Sequence, residues 1–271
     1  MAYYESADGC RYHYEIVGDQ AGHGYPMFML HGIIQSGAEW RRAGWVDALS
    51  GMRRLILVDL PGHGASDRPG DHGPYRIESI ANAVLGISDA LGIEGFDYMG
   101  FSLGGRVGYE LAARHARGDA EGLRALVISA QHARAPRDEP RLLRLIELFR
   151  GGKLRAMERG MGMRSEQAGA TVNDPEAMAM AIEALRDWGG VEEGLGGLPQ
   201  PVMVISGEED PAFQKARDSA AAIPGAWWVA LPGIDHNETF YRVDASAPAV
   251  VDFLARVDGK GAGGGEAAPA R

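Results

Sequence analysis

Ser102 stands in a pattern that is typical of a nucleophilic serine. The stretch Gly100-Phe101-Ser102-Leu103-Gly104 ends one apolar run and opens an amphipathic one. Glycines at both second neighbours suit a strand-to-helix turn so tight that side chains there would clash. Such a turn lifts the serine hydroxyl out of a sheet and leaves the next amide at a helix N-terminus. The five-residue pattern alone also occurs in ordinary glycine-rich turns, so the strand before it and the helix after it carry the prediction of a nucleophile.

A serine hydroxyl reacts only when a base takes its proton and an acid holds that base in the right tautomer. On a strand–turn–helix architecture the expected chain order is serine, then aspartate or glutamate, then histidine. Asp210 follows one predicted strand and His236 follows the next. Both loops would open at the carboxyl edge of a parallel sheet, where such sheets place their sites. We therefore predict Ser102 as nucleophile, Asp210 as acid and His236 as base.

Other carboxylates compete with Asp210 for the role of the acid. Glu208 and Glu209 precede it directly, and Asp235 neighbours the predicted base. Asp210 is favoured because the following Pro211 biases it towards an extended, helix-starting conformation. Asp235 is equally explained as a solvated loop charge.

The tetrahedral intermediate of acyl transfer needs amide donors for its oxyanion. Leu103 supplies one amide, at the start of the helix. A glycine at position 32 lets the chain bend after a strand, so that the Ile33 amide faces the nucleophile. Ile34 and Trp40 then become candidate substrate contacts, although Trp40 is equally explained as a core anchor of the following helix.

Three further residues are candidates for substrate contact. Phe101 directly precedes the nucleophile, and Trp188 lies on the apolar side of a predicted helix. His132 follows the strand that ends at Ser129, where it is either a substrate contact or a hinge residue.

Apolar runs of strand length alternate with runs of helical period along most of the chain. Strands that alternate with helices imply an α/β fold with a mostly parallel sheet covered on both faces. The first two strands lack a helix between them, which predicts an antiparallel edge. The expected strands are Tyr12–Val17, Met27–His31, Arg54–Asp59, Phe96–Phe101, Leu123–Ser129, Val202–Gly207 and Ala226–Leu231, and the expected helices are Glu39–Gly51, Ile77–Leu91, Leu103–His115, Gln214–Ile223 and Ser246–Val257.

Residues 131–198 interrupt this alternation with helical patterns alone. Apolar residues from Leu142 to Phe149 mark one helix, and Asp174-Pro175 is a favourable start for a second. We interpret this segment as a lid over a core formed by residues 1–130 and 199–258. Its five methionines either line an apolar pocket or fill the core. Residues 259–271 contain no large apolar side chain and are predicted to be a disordered tail.

Composition excludes several classes of protein. With 271 residues, 45% hydrophobic content and one cysteine, the chain is neither disordered nor a disulfide scaffold, and Cys10 alone fits a reducing compartment. The first nine residues lack the basic and apolar regions of a signal peptide. The net charge of −10 argues against nucleic acid as a partner. We expect a cytoplasmic protein that acts on a small molecule without a membrane or nucleic-acid partner, and the oligomeric state stays open.

No cluster of histidine and carboxylate residues has the spacing of metal ligands, and no glycine-rich phosphate loop is present. We therefore expect neither a metal nor an organic cofactor.

Five motifs together resemble the α/β-hydrolase fold superfamily over residues 2–258. They are His31-Gly32, the stretch Asp59-Leu60-Pro61-Gly62-His63-Gly64-Ala65-Ser66, the Ser102 turn, Gly207-x-x-Asp210 and His236. The resemblance implies a mostly parallel central sheet flanked by helices, with a helical lid inserted after the sixth strand. It also implies that the stretch 59–66 is a structural turn, so that His63 belongs to the scaffold.

Two residues refine this resemblance. With Phe101 before the nucleophile, the Gly-Phe-Ser sequence resembles that of the cofactor-free haloperoxidase and esterase branch. The serine at position 102 argues against the members of the superfamily that use an aspartate nucleophile. We predict a serine hydrolase of small, largely apolar esters, lactones or thioesters. The same triad also serves perhydrolysis, C–C bond hydrolysis and lyase chemistry in relatives, and a non-catalytic ligand receptor on this fold is the alternative from another class.

Overall fold

A single mixed β-sheet forms the centre of the molecule. The computed structural model describes residues 2–18, 24–136, 139–160 and 173–259, excepting the side chains of 158–160. Within these residues eight strands pair in the order β1-β2-β4-β3-β5-β6-β7-β8. The strands are β1 (Ala2–Glu5), β2 (Arg11–Val17), β3 (Met27–Leu30), β4 (Leu55–Val58), β5 (Phe96–Phe101), β6 (Leu123–Ser129), β7 (Val202–Gly207) and β8 (Trp227–Leu231).

The antiparallel edge of the sheet differs from its prediction. β2 pairs antiparallel with both β1 and β4, whereas β3 lies inside the sheet, parallel to β4 and β5. All four residues of β3 are buried. A strand covered on both faces reads as a continuous apolar run, and this is the pattern of an interior parallel strand. The half-exposed β1, which the sequence reasoning missed, occupies the edge instead.

Helices cover both faces of the sheet and produce two separate apolar layers. Side chains of α3, α4, α7 and α8 pack into one layer, and those of α1, α2, α9 and α10 pack into the other. Successive residues of β3 point into opposite layers, as the pleat of a strand requires. The helices are α1 (Gly37–Ala43), α2 (Trp45–Leu49), α3 (Ile77–Ala90), α4 (Leu103–Arg117), α5 (Pro140–Arg150), α6 (Leu154–Gly160), α7 (Pro175–Arg186), α8 (Phe213–Ala221), α9 (Glu238–Tyr241) and α10 (Val243–Val257).

The helix predicted over Glu39–Gly51 is divided into α1 and α2. Gly44 lies between them with φ of 100°, a conformation that glycine adopts without a steric penalty. Its amide closes the last turn of α1 by donating to the Arg41 carbonyl at 3.1 Å. The chain thereby changes direction while both apolar faces stay on the sheet.

The segment between β6 and β7 contains α5, α6 and α7, and we call it the helical insertion. The Asp174 side chain caps α7 by accepting a hydrogen bond from the Ala177 amide at 2.9 Å. Residues 161–172 of this segment and 260–271 of the predicted tail lie outside the described residues. In the described part of the chain, no helix is both long and apolar enough to cross a membrane.

Candidate active site

The strained turn between β5 and α4 presents Ser102 at the carboxyl edge of the sheet. Its backbone has φ of 51° and ψ of −110°, a conformation that costs a non-glycine residue roughly 1–3 kcal/mol. The surrounding backbone holds this conformation: the Ser102 amide donates to the Ser129 carbonyl at 2.9 Å, and the Gly105 amide donates to the Ser102 carbonyl at 2.9 Å. Strain maintained in this way exposes the hydroxyl instead of turning it into the sheet.

Two glycines permit the close approach on which this turn depends. A Cβ at Gly104 would overlap the Leu30 carbonyl oxygen of β3, and one at Gly100 would overlap the Gly104 carbonyl. The Gly104 amide donates to the His31 carbonyl at 3.1 Å, which joins the start of α4 to the loop after β3. The two loops of the site are therefore in direct backbone contact.

The structure brings the three predicted catalytic residues together. His236 Nε2 lies 3.0 Å from the Ser102 hydroxyl oxygen, and His236 Nδ1 lies 2.7 Å from Asp210 Oδ2. Asp210 is buried, and its second carboxylate oxygen accepts a hydrogen bond from the Ala212 amide at 2.7 Å. When Nδ1–H donates its hydrogen bond to Asp210, Nε2 is left with its lone pair facing the serine.

The carboxylates that compete with Asp210 for contact with His236 lie elsewhere. Glu208 and Glu209 are exposed to solvent. Asp235 turns to the start of α9, where its side chain accepts a hydrogen bond from the Glu238 amide at 2.8 Å.

The amides of Ile33 and Leu103 stand out because the amides beside them are already bonded. Gly32 N–H donates to the Gln35 side chain at 2.8 Å, and Ile34 N–H donates to His63 Nε2 at 3.3 Å. Neither Ile33 nor Leu103 donates its amide hydrogen to any residue that the structure describes. Both amides therefore remain available to an oxygen bound beside Ser102.

Two buried, neutral histidines support the loop that carries Ile33. His31 Nε2 accepts a hydrogen bond from the Leu60 amide at 3.1 Å, and His63 Nδ1–H donates to the Pro61 carbonyl at 2.8 Å. Burial lowers the pKa of His31 and lowers that of His63 to about 3. Both rings therefore stay uncharged and support the loop through fixed hydrogen bonds.

A cavity of about 390 Å³ opens beside the Ser102 hydroxyl and His236. The core supplies its floor, and α5, α6 and α7 of the helical insertion supply the opposite wall. That wall is apolar for the most part. The side chains of the insertion that line it without a charge are Leu142, Leu145, Leu148, Met157, Ile182 and Leu185.

Comparison with known proteins agrees with this architecture. Residues 25–160 match the family model for the alpha/beta hydrolase fold. The chain belongs to this family. It is an α/β-hydrolase fold enzyme, and its relatives are hydrolases.

Three relatives show how far the likeness extends. A 2-hydroxymuconate semialdehyde hydrolase of Pseudomonas putida is 28% identical over 88% of this chain and 89% of its own length. A pimeloyl-[acyl-carrier protein] methyl ester esterase of Methylococcus capsulatus is 30% identical over 71% of this chain and 79% of its own. The crystal structure of the enol-lactonase from Burkholderia xenovorans LB400 is 28% identical, covers 94% of this chain and 100% of that chain, and has a TM-score of 0.78. Six other curated relatives are matched over only 28% to 39% of their own length.

Not every predicted substrate contact of this α/β-hydrolase lines the cavity. Ile34 and Phe101 do. Trp40 is instead a core residue, fully buried against Phe240 with ring centroids 4.7 Å apart. Trp188 is also buried, and its indole N–H donates to Glu110 at 3.1 Å. Trp40 thus joins α1 to α9, and Trp188 joins the end of α7 to α4, which is the more general role of tryptophan in a core.

His132 lies behind the cavity instead of inside it. It is buried, and its Nε2 lies 2.9 Å from Glu139 Oε1 at the start of α5. A second cavity of about 180 Å³ is lined by His132, Glu139 and Lys215. Burial lowers the pKa of His132. Its position at the junction of β6 with the helical insertion agrees with the hinge interpretation.

The methionines of the insertion divide between both predicted uses. Met157 lines the cavity, whereas Met178 is fully buried in the core. Met161 and Met163 lie outside the described residues.

The sequence reasoning missed several polar residues of the site. Gln131 lines the cavity and donates its side-chain N–H to the Ser102 carbonyl at 3.2 Å, which adds a further tie to the strained turn. Three arginines, at positions 106, 141 and 144, also line the cavity. Arg106 occupies the fourth position after Ser102 on α4, so helical spacing from the nucleophile was the signal that could have found it.

Proposed function

We propose that this α/β-hydrolase is a serine hydrolase that cleaves a small ester, lactone or thioester through an acyl-serine intermediate. The continuous chain from Ser102 through His236 to Asp210, with atom pairs 3.0 and 2.7 Å apart, carries the proposal. A nucleophile, its base and the acid that orients the base are the parts that acyl transfer requires.

The proposed reaction begins when His236 Nε2 takes the Ser102 proton as the hydroxyl oxygen attacks the acyl carbonyl. The amides of Ile33 and Leu103 receive the oxyanion, and Asp210 stabilises the imidazolium that forms. The imidazolium then protonates the leaving alcohol or thiol, which departs. Water attacks the acyl-serine in a second round with the same base, and the acid is released.

The cavity supports the part of the proposal that concerns the substrate. Its volume of about 390 Å³ suits a small molecule, and its wall from the helical insertion is mainly leucine and isoleucine. We propose that residues 131–198 act as a lid that closes the reacting bond from bulk water. The single cysteine, which fits a reducing compartment, supports a cytoplasmic location for the reaction.

The test combines covalent labelling with removal of the nucleophile. Intact-mass measurement should show one fluorophosphonate adduct on the folded protein, and peptide mapping should place it on Ser102. Ser102→Ala should abolish labelling and lower kcat roughly 10⁶-fold on any ester that the wild type cleaves, because the triad acts as a unit.

Substrates and controls make this test decisive. A panel of 4-nitrophenyl esters, lactones and thioesters of increasing acyl length would identify the substrate class, and circular dichroism would verify that the variant is folded. An adduct on another residue, or undiminished turnover by folded Ser102→Ala, would disprove the proposed mechanism. Labelling without turnover of any of these compounds would favour a ligand receptor.

C–C bond hydrolysis by the same triad is the second candidate. It is favoured by the Pseudomonas putida relative, which aligns over most of both chains and whose name gives 2-hydroxymuconate semialdehyde as its substrate. That molecule has no ester, so its hydrolysis must break a carbon–carbon bond. Loss of 2-hydroxymuconate semialdehyde with release of formate, at a kcat/KM above that for every ester in the panel, would select this candidate.

A further inference from the structure

The charged residues around the catalytic cavity are all of one sign. Among the described residues that line it, three are arginines (Arg106, Arg141 and Arg144) and none is an aspartate or glutamate. The catalytic Asp210 lies behind His236, outside that lining. An otherwise apolar cavity therefore contains a local excess of positive charge in a chain whose net charge is −10.

Arg106 has an unusual environment for a positively charged side chain. It is fully buried, and burial lowers its pKa to about 10, so that it remains charged at neutral pH. Its Nη1 donates to the Arg134 carbonyl at 2.8 Å, and its Nη2 lies 3.4 Å from His132 Nε2, behind the cavity. Arg106 therefore adds a buried positive charge behind the wall of the cavity, while its guanidinium faces protein groups.

Among the described residues, one carboxylate, that of Glu139, pairs with the cations on this side of the cavity. Glu139 Oε1 lies 3.0 Å from Lys215 Nζ and 3.6 Å from Arg106 Nη2, and Glu139 Oε2 lies 3.6 Å from Arg141 Nε. One negative charge thus faces three positive ones, and the adjacent His132 is held neutral by burial. The excess of positive charge is therefore not cancelled by this carboxylate.

Helix α5 directs the two other arginines towards the same space. Arg141, Arg144, Leu145 and Leu148 all line the cavity, and their spacing places them on one face of the helix. Arg144 is exposed and forms no ion pair within the described part of the chain. Guanidinium groups next to leucines on one face match a ligand with an apolar body and an anionic end.

We propose that the substrate of this site carries a carboxylate besides the bond that is cleaved, and that Arg141 and Arg144 bind that carboxylate, with the buried charge of Arg106 behind them. The inference rests on the proposed serine-hydrolase function and narrows its substrate class to the half-esters, lactone acids or thioesters of dicarboxylic acids. The carboxylate accepts hydrogen bonds from the planar guanidinium forks, while the acyl chain packs on the leucines of α5.

The experiment compares two 4-nitrophenyl esters that share the same acyl chain and differ at its far end. The first is 4-nitrophenyl hydrogen adipate, which has a free carboxylate, and the second is 4-nitrophenyl methyl adipate, in which that carboxylate is a methyl ester. The ratio of their kcat/KM values is independent of the fraction of enzyme that is active. The wild type should favour the acid roughly 10- to 100-fold, as expected for a charge-assisted hydrogen bond.

Arginine variants then locate the source of that preference. Arg144→Gln should reduce the ratio several-fold, and the double variant Arg141→Gln,Arg144→Gln should reduce it further. Arg150→Gln is the matched control, since Arg150 belongs to the same helix but pairs with Glu176 and Glu183 away from the cavity. It should leave the ratio unchanged.

The outcomes separate this inference from the function on which it rests. A ratio near one or below in the wild type, or a preference that persists in the double variant, would overturn the carboxylate subsite while ester hydrolysis and Ser102 labelling remain. Absence of both hydrolysis and labelling would overturn the serine-hydrolase function and the inference with it.

Discussion

At the scale of single residues, the site depends on which atom of each side chain is already occupied. Asp210 uses one carboxylate oxygen for the Ala212 amide and the other for His236. His236 is thereby left with one nitrogen for Ser102. Asp210 holds His236 in a single tautomer. Catalysis should therefore be sensitive to a substitution of Asp210 that preserves its shape but removes its charge.

Asp210→Asn should lower kcat roughly 10³- to 10⁴-fold with little change in the free energy of unfolding. The amide retains the volume of the acid but neither holds the reactive tautomer nor stabilises the imidazolium. The measurement is steady-state hydrolysis of the best ester in the panel. Glu208→Gln is the control, because this exposed neighbour lies two residues away and should retain full activity. Equal losses in both variants would show that Asp210 is not the acid.

Some residues of the site follow from the sequence and others do not, for a physical reason. Ser102, Asp210 and His236 lie in short motifs whose order along the chain is tied to strand ends, so pattern and chemistry identify the same positions. Trp40 and Trp188 have suitable side chains, yet their location depends on packing against Phe240 and beside Glu110, which distant parts of the chain supply. Arg144 was missed for the same reason.

At the scale of elements, the site is made by two loops that the sheet brings into contact. β3 and β5 are neighbours, and their ends carry the Ile33 and Leu103 amides. The contact between Gly104 and the Leu30–His31 backbone sets the separation of these loops. Helix α4 approaches the sheet this closely only because residue 104 has no side chain.

Gly104→Ala should therefore destabilise the protein and reduce its reactivity together. The new methyl group would overlap the Leu30 carbonyl, which is backbone and cannot rotate away, so we expect a loss of roughly 3 kcal/mol in the free energy of unfolding. Urea denaturation measures that loss, and the rate of fluorophosphonate labelling measures the reactivity of Ser102.

Gly51→Ala is the matched control for Gly104→Ala. A Cβ at Gly51 would meet no atom within 4 Å, and the change should stay within about 0.5 kcal/mol. Equal stability of the two variants would show that the close approach at Gly104 is not needed.

Element boundaries show where local patterns stop being sufficient. The amphipathic period of the stretch 39–51 continues through Gly44, although the chain turns there at φ of 100°. Hydrophobic periodicity indicates which side chains are buried. It does not indicate whether those side chains belong to one continuous helix or to two helices with different axes. Similarly, β1 has only four residues and is half exposed, so its pairing with β2 leaves a weak apolar signal.

At the scale of the whole molecule, the order of the strands could not be read from their sequence alone. Alternation of strands and helices predicts a parallel sheet, and the family resemblance supplies its class. The placement of β3 between β4 and β5 arises because β3 is buried on both faces and the half-exposed β2 suits a position near the edge. This arrangement also brings His31 and His63 beneath the loop that carries Ile33, with ring centroids 5.1 Å apart.

That buried pair predicts how the stability of the whole molecule depends on pH. Burial lowers the pKa of His63 from its ordinary 6.5 to about 3, and the pKa of His31 is lowered as well. The folded state keeps both rings neutral, whereas the unfolded chain takes up a proton on each below about pH 6.5. Acidification therefore favours the unfolded state, and each ring removes about 1.4 kcal/mol per pH unit once the pH lies well below 6.5.

His63→Gln isolates one of these protons. A glutamine retains an acceptor for the Ile34 amide and a donor for the Pro61 carbonyl. We therefore expect this variant to fold. Urea denaturation between pH 7 and pH 5 should show a stability that falls less steeply in this variant than in the wild type, because the window lies above the ordinary range of the carboxylates. If wild type and His63→Gln lose stability in parallel across this range, the buried ring is not a source of acid sensitivity, and the neutral support beneath the Ile33 amide would have to be assigned to His31 alone.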